Sequence, residues 1–292
     1  MKIEKEASIG VIGGSGVYDL PALKDRREVS LKTPFGAPSG KILLGTLDGA
    51  RCAFVPRHGA GHVLLPQEIP VRANIWALKS LGVERLLAVA AVGSLKEELP
   101  PRHFVVPDQL FDKTWGRPST FFGEGCVAHV AFDKPFCTAL SNEVYNKAQA
   151  LGIAATFGGT YCTMQGPLFS TRAESLHHKA LGFSVIGMTA STEAKLAREA
   201  ELCYSLVALV TDYDCWKEGE EVSSDKVMET MKANVADAQR LLAAAIPAAA
   251  RLPRACACGS ALAHGIVTNP KSIPPKTRKK LALFIDKYLP KK

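Results

Sequence analysis

Two uninterrupted apolar segments constrain the fold of this chain more than any other feature of its sequence. Residues 85–92 and 203–210 consist almost entirely of apolar and small side chains, and each ends at glycine or polar residues. Such runs are too short to cross a bilayer and are typical of strands covered on both faces of a sheet. Segments with helical periodicity separate the predicted strands. We therefore predict an α/β fold, a single domain with a central mixed β-sheet flanked by helices.

Turn residues and periodicity predict the other elements. Asp48-Gly49 between two short β-rich segments indicates a hairpin, and Gly82 and Gly152 mark helix ends. Further strands are predicted at 9–12, 41–46, 51–56, 104–106, 156–165 and 185–188, and helices at 70–81, 140–151, up to about 200, at 224–242 and at the end of the chain.

Chain length and composition indicate one globular domain. The 292 residues are 47% hydrophobic and 22% charged, which is an ordinary balance for a soluble protein. We assign residues 1–292 to one domain, with a core at 8–245 and a C-terminal coil and basic helix at 247–292. Residues 1–8 alternate lysine and glutamate and contain no apolar run, so we expect no signal peptide, no membrane partner and a cytoplasmic protein.

The net charge of +8 is concentrated in the C-terminal tail. No aromatic-interleaved RNA motif and no helix-turn-helix pattern accompanies it. We therefore expect a solvated basic helix and no nucleic-acid partner.

Two acids follow the second apolar segment, at the point where that strand should end. Asp212 and Asp214 are separated by one residue, so on an extended backbone their side chains point to the same face. Open α/β sheets bind ligands at the carboxyl ends of their strands. A carboxyl pair there could accept hydrogen bonds from a nitrogen heterocycle or exchange a proton with it, although acids at strand exits are also often merely solvated.

Candidate anion-binding groups follow other strands. Ser15 lies in a glycine-rich turn that fits neither the dinucleotide-binding nor the P-loop pattern, because Asp19 occupies the third glycine position and no G-K-S/T follows. Arg57 and His58 end another strand, where arginine offers a forked donor and histidine a tunable one. Zinc at His58 and His62 is disfavoured, because the intervening glycines oppose a helix.

The segment 165–174 offers groups that suit a heterocycle. Phe169 provides a ring for stacking and Ser170 a hydroxyl. Ser170 or Thr171 with Glu174 also resembles a capping box, which would require no ligand. Together with an anion clamp of Ser15, Arg57, His58 and Thr189, these groups suggest phosphorolysis of a nucleoside.

The motifs, in their order, resemble those of the methylthioadenosine phosphorylases in the trimeric purine nucleoside phosphorylase family. The resemblance spans roughly residues 8–245 and is carried by I-G-V-I-G-G-S-G, T-P-F-G-A-P-S, R-H-G, A-N-I-W-A-L, A-V-G-S-L, P-F-C, Q-G-P-L-F-S-T-R-A-E-S, G-M-T and T-D-Y-D-C-W-K.

This resemblance implies a role for each matching residue. It implies phosphorolysis of 5′-methylthioadenosine with inorganic phosphate as co-substrate, no further cofactor, no metal, and a homotrimer or a dimer of trimers. The phosphate would contact Ser15, Arg57, His58, Ala90, Ala91 and Thr189. Met188 would lie beneath the ribose, Phe169 and Ser170 at the base, and His129 at a neighbouring subunit's ribose.

The acids would divide the chemistry at the purine. Asp212 would face the exocyclic amine and Asp214 would protonate N7 of the leaving base, which requires a raised pKa. Two departures from the family bear on affinity and selectivity. Ala90 leaves only backbone donors where many relatives offer a hydroxyl, and Ser224 replaces an apolar residue near the 5′ group, which opens the site to adenosine.

Two further possibilities stay open from the sequence. A 6-oxopurine nucleoside phosphorylase is disfavoured by the acid pair, and a catalytically silent nucleotide- or RNA-binding protein is a second alternative. Cys256 and Cys258 form a C-x-C motif that some relatives oxidise to a disulfide. With no second ligand pair evident for a metal, we expect two free thiols on a surface tail.

Overall fold

The computed structural model describes residues 5–14, 16–220 and 222–289. The described residues form one mixed eleven-stranded sheet with helices on both faces, which confirms the predicted fold class. The strands are β1 (Ile9–Gly13), β2 (Lys24–Val29), β3 (Ile42–Leu47), β4 (Ala50–Pro56), β5 (Arg85–Ser94), β6 (Phe104–Val106), β7 (Gln109–Asp112), β8 (Ala155–Phe157), β9 (Thr160–Thr163), β10 (Val185–Gly187) and β11 (Cys203–Asp212).

Strand β5 is the centre of the sheet. Along one edge it pairs in parallel with β11 from Arg85 to Gly93. Along its other edge it pairs in parallel with β1 up to Ala88, and then antiparallel with β10 from Gly93. Between these two partners, at residues 89–92, no strand of the described chain pairs with this edge. We call this opening the β5 gap.

Two apolar layers cover the sheet. The helices are α1 (Val71–Ser80), α2 (Thr138–Ala150), α3 (Arg172–Ala180), α4 (Ala190–Glu199), α5 (Ser224–Arg251) and α6 (Pro275–Ile285). On one face α1, α4 and α6 pack with Ile75, Leu196 and Phe284 in the core, and on the other face α2 and α5 pack with Val144 and Leu242.

The sequence prediction of one strand at 156–165 was wrong. Gly158 and Gly159 both have positive φ, at 95° and 98°, and they divide the segment into β8 and β9. Strand β2 was not predicted at all, because its sequence K-D-R-R-E-V is almost entirely charged and exposed. Such composition suits the edge of a sheet, where charges discourage pairing with another chain.

Helix α5 is longer than predicted and continues through Pro247, where we expected coil to begin. A proline inside a helix costs roughly 3 kcal/mol, because it removes one backbone hydrogen bond and crowds the preceding turn. Leu241, Leu242, Ile246 and Ala249 are all buried against the sheet around this position. Their burial offsets the cost of the proline.

The C-terminal tail packs against the body of the protein. Leu262, Ile273, Phe284 and Ile285 belong to the apolar core, so the tail is not a solvated appendage. Its C-x-C motif is also not on the surface as we expected: Cys258 is buried, and both thiols lie beside Cys137 and Cys203. The expectation that no second pair of ligands existed was wrong.

None of the helices formed by the described residues is long and apolar enough to span a membrane.

Candidate active site

The carboxyl ends of β1, β4 and β11 lie at the same edge of the sheet, because these strands run parallel to one another through β5. Strand β10 runs the opposite way and delivers Met188 and Thr189 to the β5 gap. Two groups of polar side chains therefore lie along β5. One surrounds Gly93 and contains the acids, and the other surrounds residues 89–91.

The acid group is built on a distorted strand end. The register of β11 shifts between Val210 and Asp212, and Asp214 has a φ of 49°, in the left-handed region. The two acids therefore do not share a face of an extended strand, which was the sequence argument. They are nevertheless adjacent, because Oδ1 of Asp212 accepts a hydrogen bond from the Asp214 N–H at 2.8 Å.

The two carboxyl groups have different surroundings. Burial raises the pKa of Asp212, although its Oδ2 accepts a hydrogen bond from Thr211 at 2.7 Å. Asp214 is 4% exposed, and its Oδ2 has no hydrogen-bond partner among the described residues. A buried carboxylate oxygen without a partner is costly, and backbone strain of this kind is typical of functional sites. Asp214 is thus prepared to accept a donor from a ligand.

The predicted base-binding loop, residues 165–174, is hydrogen-bonded to Cys215, the residue that follows Asp214. Cys215 donates its thiol hydrogen to the Ser170 carbonyl at 3.0 Å, and its N–H to the Ser175 hydroxyl at 3.2 Å. Ser170 is buried and Phe169 is 45% exposed. Thr171, rather than Ser170, caps α3, with Glu174 completing the predicted capping box. This arrangement leaves the Ser170 side chain available, and among the described residues its hydroxyl bonds only the Met164 sulphur, at 3.7 Å.

Arg117 holds the residue predicted to lie beneath the ribose, and the sequence analysis did not identify it. Its guanidinium donates to the carbonyls of Met188 and Gln165, both at 2.5 Å. Gly166 lets Met188 pack closely against this segment, because a Cβ at position 166 would lie only 2.5 Å from the Met188 sulphur. Arg117 lies in a loop without a motif, so no sequence signal pointed to it.

The second group is centred on Arg57, which is 2% exposed. Its Nε and Nη2 bind both carboxylate oxygens of Glu193, at 2.6 and 3.1 Å. The Tyr204 hydroxyl donates to the same carboxylate at 2.9 Å. Burial acts to lower the pKa of Arg57, but the charge of Glu193 and the hydrogen bonds to it, with smaller contributions from nearby tyrosines, together outweigh burial and raise the pKa. The sequence analysis missed both Glu193 and Tyr204.

Most of the Arg57 donors are already used inside the protein. Nη1 donates to the Val89 carbonyl at 2.6 Å and Nη2 also to the Ile12 carbonyl at 3.4 Å. With the two bonds to Glu193, the described residues occupy four of the five N–H groups of a guanidinium. One N–H of Nη1, at the β5 gap, is left for an anion.

The β5 gap has the other features of an anion site. The Val89 carbonyl faces the gap, and backbone groups alternate between the edges of a strand, so the Ala91 N–H faces it too. Ala91 is exposed although it lies on the central strand, and Ala90 is buried. The strand continues past these residues to Ser94, two residues beyond the predicted end at residue 92. Thr189 is the N-cap of α4, whose N-terminus attracts negative charge.

His58 lies beside this group with a defined tautomer. Its Nδ1 donates to the Leu64 carbonyl at 2.9 Å, which leaves Nε2 as an acceptor. Its ring stacks on His62 with centroids 4.2 Å apart. Burial lowers the pKa of His58 to about 4. Gly59 and Gly61 have positive φ, so the predicted absence of a helix at this position is confirmed.

Three predicted site residues are not brought into these groups by the described contacts. Ser15 lies outside the described residues. His129 is exposed and pairs through its backbone N–H with Gly265 of the tail, at 2.9 Å. Ser224 is exposed at the start of α5, whereas its neighbours Ser223 and Val227 line a 240 Å³ cavity that also contains Asp212.

The chain is similar to known phosphorylases over nearly its whole length. Residues 8–247 match the model of the phosphorylase superfamily. A Geobacter sulfurreducens S-methyl-5′-thioadenosine phosphorylase is 50% identical over 286 residues, covering 97% of this chain and all of the relative. A Koribacter versatilis protein of the same name is 51% identical, covering 97% of each chain. The chain belongs to the phosphorylase superfamily.

Solved structures of other phosphorylases have the same fold. The crystal structure of a methylthioadenosine phosphorylase from an Antarctic soil metagenomic library superimposes with a TM-score of 0.92, at 43% identity, over 96% of this chain and 99% of that one. A Schistosoma mansoni adenosine/methylthioadenosine phosphorylase mutant in complex with methylthioadenosine gives 0.81 at 34% identity, over 96% of this chain and 99% of that one.

Gly93 allows the acid group of this phosphorylase to form. A Cβ at this position would lie 3.0 Å from Asp212 Oδ1 and 3.2 Å from Asp214 Cβ. We expect Gly93→Ala to displace both acids by a few tenths of an ångström and to lower kcat/KM, by less than the roughly 10²-fold that a 1 Å misplacement can cost. Steady-state kinetics and calorimetry should be compared, and unchanged kinetics in the folded variant would contradict this geometry.

His58 should make the stability of the phosphorylase depend on pH. The ring titrates near 6.5 when unfolded and at about 4 when folded, so between these values the unfolded state binds more protons. The free energy of unfolding should fall as the pH drops from about 6.5 to about 4. Urea titrations should show a shallower fall for His58→Gln, and the exposed His264→Gln should match the parent. Equal slopes in all three proteins would refute the effect.

Proposed function

We propose that the chain catalyses phosphorolysis of 5′-methylthioadenosine to adenine and 5-methylthioribose 1-phosphate, a reaction of methionine and purine salvage. The observation that carries this proposal is a buried acid pair beside Gly93, next to an anion-binding gap at residues 89–92 of the same strand, β5. The names of the relatives support the same substrate. Inorganic phosphate is the co-substrate, and we propose no further cofactor.

The phosphate would occupy the β5 gap. There the Ala91 N–H, the remaining Nη1 donor of Arg57 and the N-terminus of α4 at Thr189 point toward one region. Ala90 contributes no hydroxyl, so its part is limited to the backbone. With its pKa lowered, His58 is neutral near pH 7 and accepts a hydrogen bond from a protonated phosphate oxygen through Nε2. We keep Ser15 as a proposed phosphate ligand from the sequence alone.

The sugar and the base would lie between the gap and the acids. Met188, held by Arg117, would contact the ribose, and Phe169 would stack on the purine beside the Ser170 hydroxyl. Cleavage of the glycosidic bond creates a cationic sugar and an electron-rich purine. Phosphate attacks from the side opposite the base, so the configuration at C1′ inverts.

For the acids we propose roles that are the reverse of those taken from the resemblance. Burial raises the pKa of Asp212, which favours this residue as the donor of a proton to N7 of the leaving base. The unpartnered Oδ2 of Asp214 suits an acceptor for the exocyclic amine. A 6-oxo group offers no hydrogen there, so this arrangement favours aminopurines.

The decisive experiment is a phosphorolysis assay with methylthioadenosine, adenosine, methylthioinosine and inosine in parallel, each with and without phosphate. We expect phosphate-dependent release of adenine from methylthioadenosine. Adenosine should be a secondary substrate, because Ser224 and Ser223 introduce polar groups near the cavity that contains Asp212. Release of hypoxanthine alone would identify a 6-oxopurine enzyme. No base release, with salt-sensitive RNA binding, would identify a binding protein.

We also propose a cytoplasmic homotrimer, or a dimer of such trimers. Eight unpaired cysteines suit a reducing compartment. Trp115 and Leu168, 75% and 81% exposed, lie close to Gln165 and Phe169 at the site, where a second subunit could cover them. His129 is exposed and would reach a neighbour's ribose from such an interface. Light scattering measures the subunit number, and a monomer would refute this part of the proposal.

A further inference from the structure

Four cysteine sulphurs lie together at the end of the sheet remote from the acids. The Sγ atoms of Cys137, Cys203, Cys256 and Cys258 are all within 4.8 Å of one another. Cys256 Sγ lies 3.7 Å from that of Cys137 and 3.4 Å from that of Cys203. Three of the four residues are at most 5% exposed. Within the described part of the chain this is the one cluster with metal-ligand character.

These separations are those of a tetrahedral thiolate site. Four sulphurs at about 2.3 Å from one zinc ion lie about 3.8 Å apart, which is close to the distances present here. A disulfide would require about 2.05 Å between two of them. Each sulphur lies near all three others, so one central ion can bind all four. Two disulfides would bring together only the two sulphurs of each pair.

The backbone fixes each ligand from a different part of the fold. Cys137 is the N-cap of α2, and its N–H donates to the Tyr204 carbonyl at 2.8 Å. Cys203 begins β11, and its N–H donates to the Glu84 carbonyl at 3.0 Å. Cys256 and Cys258 lie at the start of a 3₁₀ turn, Ala257–Ser260, which directs both sulphurs to the same side.

The surroundings also suit a negatively charged metal–thiolate centre. Arg198 places Nη1 4.0 Å from the Cys258 sulphur, where its charge offsets that of the thiolates. Apolar side chains of the core surround the other three sulphurs. Soft thiolates in a closed tetrahedral set select zinc over magnesium or calcium.

We propose that Cys137, Cys203, Cys256 and Cys258 bind one structural Zn²⁺ ion that fastens the C-terminal tail to α2 and β11. The site does not take part in the reaction. Cys203 and Asp212 are the first and last residues of β11, so about 30 Å of strand separates the metal from the acids. The ion therefore stabilises the fold and not the transition state, and its loss should lower Tm without altering KM at temperatures where the protein stays folded.

The test measures the metal content of the full chain. The protein is expressed in zinc-supplemented medium without a histidine tag and is purified under reducing conditions without chelators. Plasma mass spectrometry should find about one zinc per chain. Replacing zinc by cobalt should produce a thiolate-to-cobalt charge-transfer band and the visible bands of a tetrahedral centre. Extraction with a strong chelator should then lower Tm, and restored zinc should recover it.

Variants distinguish the cluster from other thiols. Cys256→Ser/Cys258→Ser should lose the zinc and show the Tm of the chelated parent. Cys52→Ser is the matched control, because Cys52 is buried, lies outside the cluster and, within the part of the chain that the structure describes, bonds only the Gly45 carbonyl. This variant should retain one zinc. A parent chain that contains no zinc overturns the proposal. If its four cluster thiols can be titrated, the cysteines are free, and if its mass is lowered by two hydrogens for each bond, they form disulfides. Zinc retained by the double variant overturns it as well.

Discussion

Asp212→Asn should lower kcat for methylthioadenosine about 10²–10⁴-fold, because the variant cannot donate a proton to the leaving base. The fold should be preserved. The amide oxygen can still accept from the Asp214 N–H, and the Thr211 hydroxyl can turn from donor to acceptor at the new amide. Rapid kinetics with saturating phosphate would measure the loss in the chemical step, and calorimetry would verify the fold.

Asp214→Asn should affect specificity more than turnover. Its new amide group offers donors where the carboxylate offered only an acceptor, so a 6-oxo group becomes a better partner than an amine. We expect the ratio of kcat/KM for methylthioadenosine to that for methylthioinosine to fall about 10-fold or more, in line with 1–3 kcal/mol for an unpaired buried group.

The exposed Asp133→Asn serves as the control for both acid variants and should behave as the parent. The opposite pattern would be equally informative. If Asp214→Asn abolishes turnover and Asp212→Asn changes only the preference between the two bases, the roles are those that the family resemblance implies. If neither variant alters kinetics, the acid pair is not the purine site.

Glu193→Gln should produce the largest loss of stability. It leaves the Arg57 charge buried, with Arg57 at 2% and Glu193 at 1% exposure, and without its bidentate partner. Breaking a buried pair in this way costs about 3–5 kcal/mol. Denaturant titration should show this loss as a lower midpoint with an unchanged slope.

Glu199→Gln is the matched control for this variant. Glu199 lies on the same helix and is also buried, but its partners are the Thr120 hydroxyl and the Phe121 N–H, not a cation. Its amide variant should lose only about 1 kcal/mol. Equal losses in the two variants would mean that the Arg57–Glu193 pair has no special weight.

The central elements of the fold could be predicted because their residues are buried on a regular pattern. The apolar runs at 85–92 and 203–210 became β5 and β11, and the Asp48-Gly49 turn joins β3 to β4. Strand β2 was missed because its residues are charged and exposed, and β7 because its four residues, Q-L-F-D, do not alternate between apolar and polar side chains. Helix α5 continues past Pro247 because its apolar residues pack against the sheet, and the local sequence does not show this packing.

The candidate site was predictable by residue type but not by geometry. The acid pair was identified, yet the distortion that makes Asp214 adjacent to Asp212 depends on the register shift at Val210. Arg57 was expected to offer its forked donor to an anion, whereas Glu193, 136 positions away, accepts two of its five N–H groups and backbone carbonyls accept two more. The cysteine cluster joins positions 137, 203, 256 and 258, and no local pattern connects residues so far apart.

Strand β5 sets the distance between the anion-binding gap and the acids. The Ala91 N–H lies at the anion-binding gap and Gly93 lies beside the acids, and two steps of about 3.3 Å along one strand set their separation at about 7 Å. The distance between phosphate and purine is thus a property of backbone hydrogen bonding to β11 and not of loop conformation. Loops around the site can change in sequence and length without altering this spacing. Inserting one residue into β5 between the gap and the acids would lengthen this distance. It would also turn the side chains beyond the insertion to the opposite face of the sheet.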